Sequence, residues 1–290
     1  MTKDSSANQL LPADSTIAAR LIEFAQTQRM VFFAGLPGVG KSLLIRELAH
    51  MAHSLGRRVH LLQWDVARQE FLNNDILARY PDAAGVTHSV VRKSMGVWSR
   101  KAVFEWSVAN PGTTDLLITE APLIGNRFVE LAVPVDDEAE TMLVAENSSF
   151  IIPVPTRRVR IAIEAARAES TKNPRHQRER GDAQPNVMNT VWAELSDAAT
   201  RLGLGSRSHK SYNPDTYQEV YLEVLKYRKC VVLPIDIVIA TGNSSVYALQ
   251  IPFHDVLPTV TETKESIAEV ERSYPVLASL EEQMACWYIV

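Results

Sequence analysis

The stretch MVFFAGLPGVGKS, Met30 to Ser42, limits the fold of this chain more than any other. Five apolar residues read as a buried strand, a Gly- and Pro-containing loop turns the chain, and a helix begins near Lys41. The loop matches the spacing GxxxxGKS/T at Gly35, Gly40, Lys41 and Ser42, in the strand-before and helix-after context that its chemistry requires. Gly35 and Gly40 permit positive φ and close approach, so successive backbone N–H groups can point at phosphates, and the helix N-terminus adds its positive dipole end. The expected nucleotide cradle is therefore Gly35, Leu36, Pro37, Gly38, Val39, Gly40, Lys41 and Ser42. Lys41 is expected to reach the β- and γ-phosphates and Ser42 to bring its hydroxyl to Mg²⁺. The N/TKxD signal of guanine specificity does not appear, which favours ATP. A loop of this kind names a ligand, and the rest of the chain must name the task.

Outward from the loop, strands and helices alternate. Strands are expected at 30–34, 58–63, 115–119 and 149–154, with helices at 42–55, over a long region 66–108, and from about 124. Before the first strand, Ser15 can cap a helix that places Ile17, Leu21 and Phe24 on one face. After it, Asn213 and Pro214 start a helix bearing Tyr217, Tyr221 and Val224, CVVLPIDIVIA supplies a further buried strand, and TVTE at 259–262 is a candidate capping box. Alternation of this type predicts an α/β fold, a parallel sheet with helices on both faces. The division expected is a disordered tail over 1–14, a domain over 15–255 with an insert at about 157–212, and a C-terminal helical tail over 256–290 packed on that domain.

Carboxylates at strand ends are the next candidates, because in such sheets the strand ends face the ligand crevice. DLLITEAP places Glu120 after an apolar run, where it can hold the metal's water shell, with a surface carboxylate as the competing reading. Asp115, at the other end of that run, reads as an exposed edge or cap residue. VHLLQWD ends in Asp65, which suits a general base for an acceptor hydroxyl and equally suits an N-cap. Between Arg157 and Arg180 the chain carries eight Lys or Arg against three Glu. The spacing puts Arg157, Arg160, Glu164 and Arg167 on one helical face, a lid clamp for charge developing on phosphoryl oxygens or, alternatively, a solvated ion-paired helix. His88 and Arg92, one turn apart near Arg79 and Tyr80, could line an acceptor pocket or lie on a wet face.

Bulk properties narrow the partners. A net charge of −4 and a pI near 6.0 give no global attraction for nucleic acid or anionic membrane. The basic segment lacks the interleaved aromatics that stack bases. Cys230 and Cys286 cannot build a disulfide framework, no apolar run approaches the length of a membrane span, and a cytoplasmic protein is expected. His50, His53 and His60 have no fourth ligand in view and read as core or surface histidines.

The chain resembles the P-loop kinases of small molecules, the broad group that includes nucleoside, gluconate and shikimate kinases. GLPGVGKS, QWD, LLITEAPLIGNR and an Arg-rich segment before the last strand carry the likeness, over about residues 28 to 245. Within the group, WDVARQEF, RYP and SVVRKSMGVWSRKAVFEW are similar to the zeta-toxin and chloramphenicol-phosphotransferase branch. The resemblance implies a three-layer P-loop NTPase fold with strand order 2-3-1-4-5 and an Arg-rich helical lid. By position it implies Asp65 as base, Glu120 on the metal and the Arg residues of 157 to 180 as the lid; with the reading of the loop and of the helical spacing, the catalytic residues expected are Lys41, Asp65, Arg157, Arg160 and Arg167, and the Mg²⁺ ligands Ser42 and Glu120. The function expected is ATP-dependent phosphoryl transfer to a hydroxyl of a small or nucleotide-like acceptor. An ATPase or regulatory switch acting on a protein partner, and a nucleic-acid-end kinase, are the alternatives.

Overall fold

A computed structural model describes residues 9–83, 85–204, 211–242 and 244–290. Its centre is a six-stranded sheet built from β1 (Met30–Ala34), β2 (Arg58–Gln63), β3 (Asp115–Ala121), β4 (Ser148–Pro155), β5 (Cys230–Ile235) and β6 (Phe253–Asp255). The order is β5-β4-β1-β3-β2-β6, and every neighbouring pair is parallel. This differs from the expected order by the strand β6, which pairs with β2 and extends the five-strand sequence 2-3-1-4-5 at that edge. Three exposed residues, FHD, carry no alternation and no apolar run, so β6 exists through its pairing and not through its own pattern.

Helices cover both faces, which is why β1, β3 and β4 are buried along their whole length. Successive side chains of a strand point to opposite faces, so β1 divides its residues between two cores. Val31 and Phe33 pack with α1 (Thr16–Thr27), α2 (Lys41–Ser54) and the start of α7 (Arg157–Lys172). Met30 and Phe32 face the larger core, built from α3 (Trp64–Phe71), α5 (Ser89–Ala109), α8 (Pro185–Arg201), α9 (Pro214–Val224), α10 (Val260–Ser273) and α11 (Leu277–Ala285). Ile267, Val270, Leu280 and Met284 thus place the C-terminal helices in that same core. Trp98 and Trp106 of α5 are buried there as packing residues. No described helix is long and apolar enough to cross a membrane.

Local signals explain several helix starts. The Ser15 hydroxyl accepts from Ala18 N–H, Asn213 accepts from Asp215 and Thr216 N–H, and Thr259 with Glu262 forms the reciprocal capping box.

Elsewhere the structure corrects the expectation. The region 66–108 is three helices, α3, α4 (Asn74–Arg79) and α5, because Asn73 caps α4 and Pro81 and Gly85 interrupt the chain before α5. No helix begins at 124. Residues 122–128 form a tight turn in which Leu123 and Arg127 bridge, followed by a 3-10 turn at Val129–Leu131 and a short α6 (Glu138–Leu143). β5 stops at Ile235, short of the expected run. Asp115 is buried, not exposed: Arg58 donates to it from Nε (2.8 Å) and Nη2 (2.6 Å), and His60 Nε2 lies 2.8 Å away. The Arg58 bonds hold its carboxyl well below the usual carboxylate range. Of the expected tail, residues 1–8 lie outside the described residues, as do 205–210 of the insert. Leu11 is buried, and the Leu10 and Leu11 N–H groups donate to the buried Glu47 carboxylate at 2.9 and 3.1 Å.

Close packing of α5 on the Val129–Leu131 turn depends on a missing side chain. A Cβ on Gly96 would sit 1.7 Å from Glu130 Oε2, and Glu130 is buried and paired with Lys93 at 3.0 Å. Gly96→Ala must displace that carboxylate, so we expect a loss of about 1–3 kcal/mol from overpacking. Thermal denaturation should show a lowered Tm, and an unchanged Tm would contradict this packing.

Candidate functional site

The 35–42 loop, Asp65, Glu120 and Arg167 converge at the C-terminal edge of β1, β2 and β3, whereas of the acceptor-pocket candidates Arg79 and Tyr80 bond to Glu271, His88 caps α5, and neither these nor Arg92 border the cavities found there. The loop 35–40 leaves β1, and Gly40, at φ +93°, is the N-cap of α2, a left-handed backbone that a side chain would strain. Gly35 is required for a different reason, since a Cβ there would lie 2.3 Å from the Tyr217 hydroxyl of α9. Leu36 and Val39 are buried and anchor the loop in the core. Lys41, also buried, donates from Nζ to the Gly35 carbonyl (2.8 Å) and the Leu36 carbonyl (3.0 Å), so its ammonium lies across the loop. Burial pushes the Lys41 ammonium down from its ordinary value, against the opposing pull of Glu120.

β3 supplies Glu120. The parallel register sets it beside Phe33 of β1 and Gln63 of β2, at the strand ends, and its Oε1 is 3.5 Å from Lys41 Nζ. Asp65 follows β2 directly and lies in the first turn of α3, whose N-cap is Gln63, so it does not serve as the N-cap. Asp65 is an exposed residue that lines the polar cavity, where the surrounding protein strips part of its water. Burial raises the Asp65 carboxyl above its ordinary value, the Glu120 charge raises it further, and Arg178, Arg127 and Lys41 oppose both.

These groups share one cavity of about 310 Å³. Lys41, Ser42, Glu120 and Asp65 line it, together with Arg68, Arg127 and Arg167, and Val187 and Val191 of α8 also border it. A second, mostly apolar cavity of about 440 Å³ begins at Gly40, Ser42 and Leu43 and runs between α7 and residues 237–247, with Ile163, Ala166, Ile237 and Ile239 in its walls. Ser42, Arg167, Asp182 and Tyr247 border both cavities, so the two adjoin at the start of α2. Tyr247 donates to Asp182 at 2.5 Å, and Arg167 Nη2 is 3.7 Å from Asp182 Oδ1. An apolar slot beside a polar, charged cavity, joined at a helix N-terminus, is a shape that accepts a flat ring at one end and phosphates at the other.

The arginines divide by position. Arg167 reaches both cavities. Arg160 is buried, donates from Nη1 to the Pro37 carbonyl at 2.5 Å and from Nε to Glu164 at 2.7 Å, and so braces the loop from outside. Arg157 opens α7 as an exposed residue and borders neither cavity. From the segment after α7, Arg178 crosses to donate to Gln63 Oε1 at 2.9 Å, with its guanidinium 4.6 Å from the Tyr247 ring centroid. Residues 175–182 therefore form a strap tied to the end of β2 and to the 242–247 segment, which Arg175 also reaches through the Gly242 carbonyl.

Sequence reasoning did not single out Arg68, Arg127 or Tyr247 as cavity residues. The signal for Arg127 lay in the turn PLIGNR just past Glu120, where Gly and Asn mark a loop at a strand end. In that turn Leu123, Gly125, Asn126 and Phe128 all have φ between +57° and +65°. For the non-glycine residues this backbone costs about 1–2 kcal/mol each, and the surroundings enforce it. Tyr221 donates to the Pro122 carbonyl (2.7 Å), Arg92 to the Gly125 carbonyl (2.6 Å), and Asn126 to the Met284 carbonyl (2.5 Å). Strain held from three helices marks a turn whose conformation matters.

The oxygen donors fit a hard cation. Ser42 and Glu120 line the same cavity next to Lys41, a hydroxyl and a carboxylate of the kind Mg²⁺ takes while keeping several waters. Comparison with known proteins adds no assignment: no family model matches the chain and no curated protein matches it.

Proposed function

We propose that this chain is an ATP-dependent phosphotransferase of the P-loop NTPase type that moves the γ-phosphoryl of ATP to a hydroxyl of a small acceptor. The observation that supports it is the convergence of Lys41, Ser42, Glu120 and Asp65 on one cavity that continues into an apolar slot. In this reading the nucleoside lies in the slot against Ile163 and Ala166, and the phosphates run past Ser42 to the 35–42 loop. Mg²⁺, held by Ser42 and Glu120, supplies charge neutralisation on the phosphates.

Asp65 accepts the proton of the acceptor hydroxyl. The acceptor oxygen forms its bond to the γ-phosphorus as the bond from that phosphorus to the β–γ bridging oxygen breaks, and ADP leaves with the electron pair. Lys41 and Arg167 stabilise charge on the transferring group, and the strap 175–182 with α8 keeps water from competing with the acceptor. A switch or motor has no acceptor hydroxyl whose proton a carboxylate base would take. A cytoplasmic location, where Mg-ATP is abundant, belongs to the same proposal.

The nucleotide half of the proposal is tested by filling the slot. Ala166 is exposed and lines the slot, so Ala166→Trp adds bulk there without disturbing a core. Calorimetric titration should show Mg-ATP binding in the wild type and a loss of about tenfold or more in Ala166→Trp. Equal affinity in the two proteins would remove the slot as the nucleoside site.

A further inference from the structure

Arg127 stands apart from the other cations of the polar cavity. Arg68 is paired with Asp82, Lys41 lies beside Glu120, and Arg167 faces Asp182. Among the described residues no carboxylate forms an ion pair with Arg127, whose guanidinium donates to the Ile124 carbonyl at a long 3.3 Å. A second guanidinium stands next to it: a Cβ built on Gly125 would lie 3.2 Å from Arg127 Nη1 and 3.7 Å from Arg92 Nη1. Arg92 Nε is buried without a hydrogen-bond partner. Burial and the charge of Arg127 both push Arg92 down from its ordinary value, opposed by the charges of Glu194 and Glu281, and Glu194 feels both guanidiniums without forming an ion pair with either among the described residues. Two guanidiniums held side by side, with donors to spare, in a strained turn fixed from three helices, form a receptor for planar or tetrahedral oxygen anions.

Asp65, Lys41 and Arg127 line the same cavity, and Arg92 stands behind Arg127 without bordering that cavity, which places the receptor beside the chemistry. Resting on the phosphotransfer reading, we infer that the acceptor carries an oxyanion group, a phosphate monoester or a carboxylate, which Arg127 binds with Arg92 behind it while the acceptor hydroxyl meets Asp65. The inference concerns the acceptor class, which the 35–42 loop and the nucleoside slot leave open.

The test titrates inorganic phosphate and, separately, acetate into the full chain saturated with Mg²⁺ and a non-hydrolysable ATP analogue, so that the loop is already filled. Phosphate is expected to bind the wild type, and Arg127→Ala should weaken it by about tenfold or more while analogue binding is unchanged. Arg127→Lys keeps the charge and loses the fork, so it should fall between the two. Among the described residues the Arg127 side chain makes one hydrogen bond, to the Ile124 carbonyl, and its charge acts on Glu194 and Asp65 without an ion pair, so both variants are expected to fold. Binding of phosphate alone points to a phosphomonoester, and binding of acetate as well admits a carboxylate. A wild type that binds the analogue but neither anion, or an Arg127→Ala protein that binds phosphate as the wild type does, overturns the inference and leaves the proposed function standing. A chain that binds no Mg-nucleotide overturns both.

Discussion

Lys41→Met is expected to lower the rate of phosphoryl transfer by about 10²–10³-fold, the cost of removing one preorganised donor from a site of developing charge. The ammonium is buried, fixed by two loop carbonyls and set 3.5 Å from Glu120, so it is held in place before any ligand arrives. Methionine nearly preserves its length and removes the charge. The ammonium is costly to bury, as its lowered proton affinity indicates, so the fold should survive its replacement better than the chemistry does. Since the folded chain binds this proton less tightly than the unfolded one, Lys41 adds stability as pH rises through its lowered value, and that dependence should disappear in Lys41→Met. Single-turnover assays with Mg-ATP and an acceptor would check the rate, and thermal denaturation across alkaline pH would check the linkage. Transfer at the wild-type rate would refute the role of the loop.

Asp65→Asn is the second large effect, with kcat expected to fall by about 10²–10⁴-fold if the carboxylate removes the acceptor proton. Nucleotide affinity should be nearly unchanged, because Asp65 follows β2 and α3 carries it, whereas the loop proposed to hold the phosphates follows β1. The pH dependence has a definite sign. Burial and the neighbouring Glu120 raise the Asp65 carboxyl above the ordinary 3.8, so the acid limb of kcat/KM should lie above that value. For stability the same shift acts in reverse. A carboxyl whose folded value is raised contributes stability below its unfolded value, and that contribution is lost as pH rises through the folded one. Asp65→Asn should therefore raise Tm at neutral pH and leave it little changed in acid. A variant that is slower and more stable would identify Asp65 as a base kept at the expense of the fold, whereas a destabilised variant would make it a structural residue.

Much of the frame was readable because it follows from local rules. Buried strands flanked by amphipathic helices disclose β1 to β4, and the caps at Ser15, Asn213 and Thr259 were visible as residue types at the right offsets. The features that escaped depend on partners distant in sequence. β6 is an edge strand recruited by β2, and Asp115 is buried because Arg58 and His60 satisfy its carboxylate. The helix expected from 124 is replaced by a turn that Tyr221, Arg92 and Met284 hold from three directions, none of which a local pattern reveals. The candidate site shows the same division. Asp65 and Glu120 sit at strand ends and Lys41 and Ser42 at the helix start after the loop, all places that the alternation locates, and they meet in one cavity. The arginines do not follow helical spacing alone. Arg157, Arg160 and Arg167 share one helix, yet only Arg167 reaches the cavity, and Arg127 arrives there from another element.

The central claim, that the cavity transfers a phosphoryl group rather than merely splitting ATP, is tested most directly by following the γ-phosphorus. The full chain is incubated with Mg²⁺, γ-labelled ATP and a pool of hydroxylated metabolites that includes phosphate monoesters and hydroxy acids, and ³¹P resonances or the label are traced. The account predicts that label moves from ATP into a new phosphate ester, that the ester forms with Asp65 intact, and that it is lost in Asp65→Asn. Label released only as inorganic phosphate, at the same rate with and without the pool and with and without the Asp65 carboxylate, would contradict it.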